Sequence, residues 1–484
     1  MEGINLVWFR DDLRTADHPA LAAAMADRRP GVRTIAVYVL DEVSPEIRPL
    51  GAAAKWWLHH GLAELHGQLA RLNVPLLLLR GPGASMVPDL AGELCASLAL
   101  EPESLSVFWN RRYGSGERTV DTEAKNRIRQ QGCTATSSAG TLLHEPWTVQ
   151  TQEGQHYKVF TPFYNALQRL PLRPALPAPA AQSPVPDMDT HGDALGDWEL
   201  LPTVPDWSAG LAAAWEPGEE AAHSRLDWVL SEVAAGYPSG RDLPGRDGTS
   251  RLSPALRWGH LSPVQVWEAL GTLAPGDADA AEGARAMMRQ LAWRDFCWNL
   301  LYHHPRMDTR NIRAEFDNFD WAWPAVDLPG VEAGGAGGPG QELIDANFTA
   351  WCRGETGFAL VDAGMRQLWE TGWMHNRVRM VVASLLVKNL GIHWRAGEAW
   401  FWDTLVDADA ASNPANWQWV AGCGADAAPY FRVFNPLLQQ KKFDPQGRYI
   451  AQHAPALGPE PIVDLPESRR AALEAYEQMK ADTR

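Results

Sequence analysis

The hydrophobic period of this chain changes once along its length, and that change restricts the fold more than any other feature. Four short apolar runs lie before residue 140: INLVWF (4–9), TIAVYVL (34–40), PLLLL (75–79) and LSVFWN (105–110). Helix-like stretches such as Ala52 to Leu72 separate them. Strands covered by helices on both faces stay apolar without alternation, because neither face meets water, so residues 1–140 read as an α/β domain with a doubly wound parallel sheet. Beyond residue 220, RLDWVLSEVA, PVQVWEAL, ARAMMRQLAWRDFCWNLLYH and ALVDAGMRQLWETG space their apolar positions by three and four. Such spacing builds one stripe on a helix, so residues 221–484 read as a mostly α-helical domain. Residues 141–220 include PLRPALPAPAAQSPVP and then acidic residues, a composition that favours an extended linker over a packed element.

Bulk properties narrow the setting. The five cysteines are odd in number, widely spaced and without a CxxC, which excludes a disulfide framework or a zinc site and suits a reducing cytosol. Charged residues appear by Arg10, and no run of about eighteen apolar residues occurs, so neither export nor a membrane span is expected. A net charge of -16 opposes binding to nucleic acid, yet the charge is uneven. Residues 151–220 carry three Lys or Arg against ten Asp or Glu, whereas residues 371–450 carry eight against six. No GxGxxG follows the first strand, so the α/β domain is not expected to bind an ordinary dinucleotide, although the carboxyl ends of its strands could hold another ligand. The Gly-rich stretch GVEAGGAGGPGQ (330–341) has irregular spacing and no phosphate-cradle signature.

Chemistry is concentrated in residues 373–434, and eighteen of the 23 tryptophans lie after residue 190. Indoles stack flat ligands or carry electrons as well as filling cores. Asp407 and Asp409 are two residues apart, so their carboxylates point in different directions and need separate partners; Arg379 is the candidate for Asp407. On a helix Asn376 and Met380 share a face with Arg377 at its rim, and Gln290 shares one with Trp293. Thr249, Ser250 and Ser253 surround Arg251 and Leu252 in a polar segment that can hold a pyrophosphate or cap a helix.

GTSRLSPALRWGHLSP, RQLAWRDF, TGFALVDAGMRQL, TGWMHNRVRM and ANWQWVAGCGADAAPYFRVFNP occur in one order, with WFRDDLR near the start and YKVFTPFYNA at 157–166. Together they resemble the photolyase and cryptochrome flavoproteins over essentially the whole chain. The spellings WMHNRVRM and NWQWVAGCGADAAPYFR are most similar to class I-type cyclobutane pyrimidine dimer photolyases of microbes. The resemblance implies FAD in the helical domain, UV-damaged DNA as partner, and dimer splitting by electron transfer from excited, reduced FAD. It also implies a monomer in the bacterial cytoplasm, associated with the nucleoid when DNA-bound. The alternatives are a (6-4) photolyase and a cryptochrome-type photoreceptor, whose usual C-terminal extension is not expected here.

Residue by residue, the resemblance implies FAD contacts from Tyr237, Thr249, Ser250, Arg251, Leu252 and Ser253. An Arg379–Asp407 pair would lie beside the flavin ring, with Asp409 at its edge and Asn413 facing N5. Trp293 and Trp419 would stack the lesion, with Asn376, Met380, Arg241, Arg377 and Gln290 around it. Trp417, Trp394 and Trp321 would return an electron to oxidised flavin, with Trp323 as the rival terminus. Gln290 departs from the family, which usually places Glu there to hydrogen-bond a pyrimidine carbonyl. A second, antenna chromophore, either a folate or a deazaflavin, is implied near Lys55, Trp56, Trp57 and Glu117, although Gly116 stands where an Asn is usual and the Trp pair equally suits helix packing.

Overall fold

The computed structural model describes all residues except 1, 28, 186–191, 274–276, 327, 329–339, 428, 431, 455–457 and 483–484. Most of the Gly-rich stretch 330–341 therefore lies outside the described residues. Strands β1 (Gly3–Phe9), β2 (Val32–Leu40), β3 (Leu76–Arg80), β4 (Leu105–Asn110) and β5 (Thr134–Ser138) form one sheet in the order β3-β2-β1-β4-β5. Every pairing is parallel. All of β1 is buried, with Ile4, Leu6 and Trp8 in the core of one face and Val7 and Phe9 in that of the other, which is why INLVWF lacks alternation. The fifth strand, TATSS, escaped the apolar-run criterion because it is an edge strand with two exposed positions.

The Pro-rich segment is extended, as its composition implies, yet it is strapped to the sheet rather than free. Asp17 donates its N–H to Leu176 O at 2.8 Å, the Gln182 amide exchanges two 2.8 Å hydrogen bonds with the backbone of Thr34, and Asp193 N–H reaches Leu78 O at 2.7 Å. Further on, Trp198, Leu200 and Leu211 join the core under the helix Ala52–Arg71. The chain thus uses its connector to cover one face of the sheet.

The helical body holds two apolar cores. One surrounds the helix Ala278–His303; the other surrounds Ala359–Thr371, Asn376–Ser384, Trp394–Thr404 and Ser412–Ala421. Backbone contacts lock this body to the α/β domain: Leu13 N–H to Trp258 O at 3.0 Å, Trp402 Nε1 to Pro49 O at 2.9 Å, and Ala52 N–H to Asp403 Oδ1 at 2.9 Å. A Cβ on Gly51 would collide with the Trp402 carbonyl, so this close approach requires glycine.

Candidate active site

A cavity of about 510 Å³ opens between the two helical cores, a size typical of small-molecule sites. The helix Ala278–His303 sends Gln290 and Trp293 into it, Asn376–Ser384 sends Asn376, Arg379 and Met380, and Ser412–Ala421 sends Asn413, Trp417 and Trp419. Ser250, Leu252 and Ser253 line the opposite wall with Tyr237, and Asp407 and Asp409 enter from the loop after Trp394–Thr404. Helical spacing puts Asn376, Arg379 and Met380 on one face and Asn413 with Trp417 on another, so a few segments far apart in sequence furnish most of the lining.

The charges inside are paired off. Arg379 Nη2 donates to both Asp407 oxygens at 3.1 and 2.9 Å, and the Asp407 side chain is 3% exposed. Asp409 instead accepts the backbone N–H groups of Ala411 and Ser412 at the start of a helix, where the helix dipole favours a carboxylate. Burial pushes the Tyr237 phenol above its ordinary range, with Arg241 opposing and Asp242 reinforcing the shift, so it stays a neutral donor. Asn413 spends both Nδ2 hydrogens on Glu398, at 3.0 Å to its carbonyl and 2.8 Å to Oε1. Its Oδ1 is therefore the polar atom left for a ligand. Burial raises the Glu398 carboxyl, while Arg48 of the α/β domain, at 2.8 and 3.0 Å, pulls it the other way. Neither Glu398 nor Arg48 was singled out from sequence; the available signal was a lone acid within the apolar run of HWRAGEAWFW.

Several expected residues lie off the cavity lining. Arg251 has a left-handed backbone at φ 50°, and its side chain meets Asp247 at 3.3 Å and the Trp373 ring at 5.2 Å. Thr249 is not on the lining either, and its backbone carbonyl accepts Arg225 Nη2 at 3.1 Å. Arg377 sits at the rim, 2.9 Å from Asp242 and over the Phe443 ring at 4.4 Å. Arg241 reaches the lining through Gln290, whose Oε1 accepts its Nη2 at 3.1 Å. Phe160 and Asn416 complete the Trp293 wall: Phe160 stacks edge-on at 5.0 Å and Asn416 accepts the indole N–H at 3.2 Å.

Of the candidate electron-chain indoles, Trp417 lines the cavity and Trp394, Trp321 and Trp323 do not. Trp417 packs on Phe401 at 5.0 Å, in a seat that a Cβ on Gly397 would obstruct. Trp394 is fully buried and donates to Asn311 Oδ1 at 2.9 Å. His393 then touches three rings: Trp394 at 5.6 Å, Trp321 at 5.0 Å and Trp323 at 4.1 Å. Burial lowers its imidazole to about 3, so it stays neutral between the indoles. Trp321 is buried and Trp323 half-buried, so both candidate termini meet the same histidine.

A second cavity, of about 140 Å³, lies at the carboxyl ends of the strands, where the sheet order reverses between β1 and β4. Asp11, Arg112 and Glu117 line it, with Tyr38, Trp298 and Arg48. Trp56 and Trp57 do not: both are buried in the helix-face core, where Trp57 donates to His260 Nε2 at 3.0 Å, and Lys55 pairs with Glu42 at 3.1 Å. The helix-packing reading of that Trp pair is the one realised. At Gly116 a Cβ would lie 2.7 Å from the Glu46 backbone, so the loop after β2 occupies the space an Asn would need.

A doubly wound parallel domain joined to a helical body with a nucleotide-sized, indole-walled cavity defines a two-domain flavoprotein. The family model described as DNA photolyase matches residues 5–182, and that described as the FAD binding domain of DNA photolyase matches residues 287–459. A deoxyribodipyrimidine photo-lyase from Agrobacterium fabrum is 40% identical over 99% of this chain and 98% of its own. The crystal structure of a bacterial class III photolyase from Agrobacterium tumefaciens superposes with a TM-score of 0.87 at 38% identity, covering 99% of this chain and 98% of its own. An archaeal photolyase from Sulfolobus tokodaii, solved with two FAD molecules, gives 0.75 at 25% identity, covering 98% of this chain and 100% of its own. The chain belongs to the photolyase/cryptochrome family. The Agrobacterium tumefaciens structure carries the class III label rather than the class I type that the motif spellings suggest.

Proposed function

We propose that this protein is a light-driven deoxyribodipyrimidine photolyase that holds FAD in the large cavity and splits cyclobutane pyrimidine dimers in UV-damaged DNA. The observation that carries the reading is that the flavin-type and lesion-type residues line one space. Arg379, Asp407 and Asn413 share it with Trp293, Trp419, Asn376, Met380 and Gln290. The donor set fits a flavin, because an ion pair, an amide left with only an acceptor, and a buried indole suit a flat ring with polar edges. Tyr237, Ser250, Leu252, Ser253, Arg379, Asp407, Asp409 and Asn413 would hold FAD, which supplies the electron released by light. Stacking on Trp293 and Trp419, at roughly 1–3 kcal/mol per base, offsets much of the cost of extruding the dimer. Arg241 and Arg377 place guanidinium charge near the lesion and its phosphates. Trp417, Trp394 and either Trp321 or Trp323 would refill an oxidised flavin.

The second cavity would take the antenna chromophore, a folate or a deazaflavin, since it lies at the switch point of the sheet and shares Arg257 and Arg294 with the large one. The protein would act as a monomer, with both cavities lined by residues of one chain. The cytosol suits both the DNA substrate and the five free thiols, and among the described residues no helix is long and apolar enough to cross a membrane. The deciding experiment illuminates reduced protein with oligonucleotides bearing a thymine dimer or a (6-4) lesion and counts restored thymines. Restoration from the dimer alone is expected; restoration from neither would leave a photoreceptor.

A further inference from the structure

Arg48 stands between the two cavities. It lies in the loop after β2 and lines the small cavity together with Trp402, whose ring is 4.3 Å from its guanidinium carbon. Its Nη1 reaches the other way and donates to both Glu398 oxygens at 2.8 and 3.0 Å. Glu398 Oε1 in turn accepts the Asn413 amide at 2.8 Å, and Asn413 lines the large cavity. Three side chains thus connect the cavities, and they differ in freedom. The Glu398 side chain is 2% exposed, whereas that of Arg48 is 22% exposed and makes no hydrogen bond through Nε or Nη2 among the described residues. Arg48 therefore keeps donors open on the small-cavity side while its charge is spent on Glu398.

That charge decides the state of Glu398. Burial pushes the carboxyl up, and Arg48 is the chief opposing influence; Arg395 on the same helix adds a weaker one, and Asp308, which also lines the small cavity, acts against both. We propose that Arg48 couples the two cavities: a ligand that sets an anionic oxygen against Arg48 in the small cavity draws off the charge that keeps Glu398 ionised, and Glu398 takes up a proton from solvent beside Asn413. A buried carboxylate that loses its cation returns to the neutral acid. The carboxylate only accepts hydrogen bonds, whereas the acid adds one O–H donor, so filling the small cavity resets charge and donor count one side chain away from the large one. Linkage makes the effect reciprocal: binding in the small cavity takes up a proton and tightens as pH falls. Arg48 is thus a positioning residue that acts through Glu398, and the inference rests on the small cavity holding a chromophore.

The test titrates the FAD-loaded protein in a calorimeter with folic acid and, separately, with deazaflavin mononucleotide. Each titration is run at neutral pH in two buffers of different ionisation heat, so that the difference in heat counts the protons exchanged. Binding of either probe should take up about half a proton or more in the parent protein and less than about a tenth of one in Glu398→Gln. Its affinity should rise about threefold or more for each unit that the pH falls. A second measurement needs no ligand. Arg48→Met should show one carboxylic-acid carbonyl band more than the parent in the infrared difference spectrum. Adding Glu398→Gln should remove that band, and Arg48→Lys, which keeps the charge, should not show it; a merely structural loss would move neither. Binding of a probe without proton uptake, or no added band in Arg48→Met, overturns the proposal. If neither probe binds although the band is present, the assignment of the small cavity to a chromophore has failed and the coupling falls with it.

Discussion

The large cavity in the helical body and the small one at the carboxyl edge of the sheet share two walls, Arg257 and Arg294, yet charge lines the small one far more densely. In the large cavity Arg379 pairs with Asp407 and Asp409 is held by backbone N–H groups, and the few remaining charges, Arg257, Arg289 and Arg294, share a lining made mostly of amide, indole, thioether and aliphatic side chains. In the small cavity the ionic groups themselves are the lining. Burial raises the Glu117 carboxyl; against the desolvation of Asp11, Arg257 and Arg112 hold that carboxyl below its ordinary range. Charge paired within a wall leaves a dry surface for flat, neutral rings, and charge on the lining calls for a ligand with matching polar edges. The shared arginines are tied to both domains, Arg257 to Asp11 Oδ1 at 2.7 Å and Ala408 O at 2.8 Å, Arg294 to Thr141 O at 2.8 Å.

The sharpest way to break this contrast is to unpair a charge in the large cavity. Arg379→Ala leaves Asp407 buried without its partner and should cost about 3–5 kcal/mol, with loss of bound flavin, read by denaturant unfolding and by flavin absorbance per polypeptide. A cost under about 1 kcal/mol would mean that the charge is not sealed in the wall. Next, Gly116→Asn should disturb only the small cavity. The new Cβ would press on the Glu46 backbone, costing about 1–3 kcal/mol and speeding amide exchange in residues 41–50 while flavin content stays unchanged.

A third change probes the shared wall through pH. Asp295, next to Arg294, accepts His144 N–H at 3.0 Å, and burial lifts its carboxyl to about 7 against the pull of Arg294. The folded state thus favours the neutral acid: its stabilising share is complete below the ordinary 3.8 and is lost as pH rises through about 7. Asp295→Asn should therefore remove a slope of roughly 1 kcal/mol per pH unit between those limits, measured as unfolding midpoints across pH. The smallest effect is expected from Lys55→Met. Its ion pair with Glu42 is partly exposed, so stability should move by less than about 1 kcal/mol and ligand uptake by the small cavity should not change; reduced uptake would put residues 55–57 back among the antenna contacts.

The large cavity was legible in advance because helical periodicity puts residues three and four apart on one face, so Gln290 with Trp293 and Asn376 with Met380 could be paired on paper. The small cavity was legible only in its place, the carboxyl ends of the strands, and in Glu117; the rest of its lining was not, since it comes from the ends of three strands and from four separate helical segments. Arg251 shows the limit at close range: the segment was readable, but not the left-handed backbone at that residue or its contact with Asp247.

The sequence by itself determined the two-domain architecture, the parallel sheet and the identity of most groups facing the large cavity, because these follow from local period and from short segments. Only the tertiary structure decided how those groups are oriented. Arg48 and Glu398 are 350 residues apart and Arg241 and Gln290 are 49 apart, yet these contacts choose which end of Asn413 and of Gln290 faces the cavity. An amide offers a donor and an acceptor in nearly the same shape, so its role is set by the neighbour that claims one end, and that neighbour arrives only when the chain has folded.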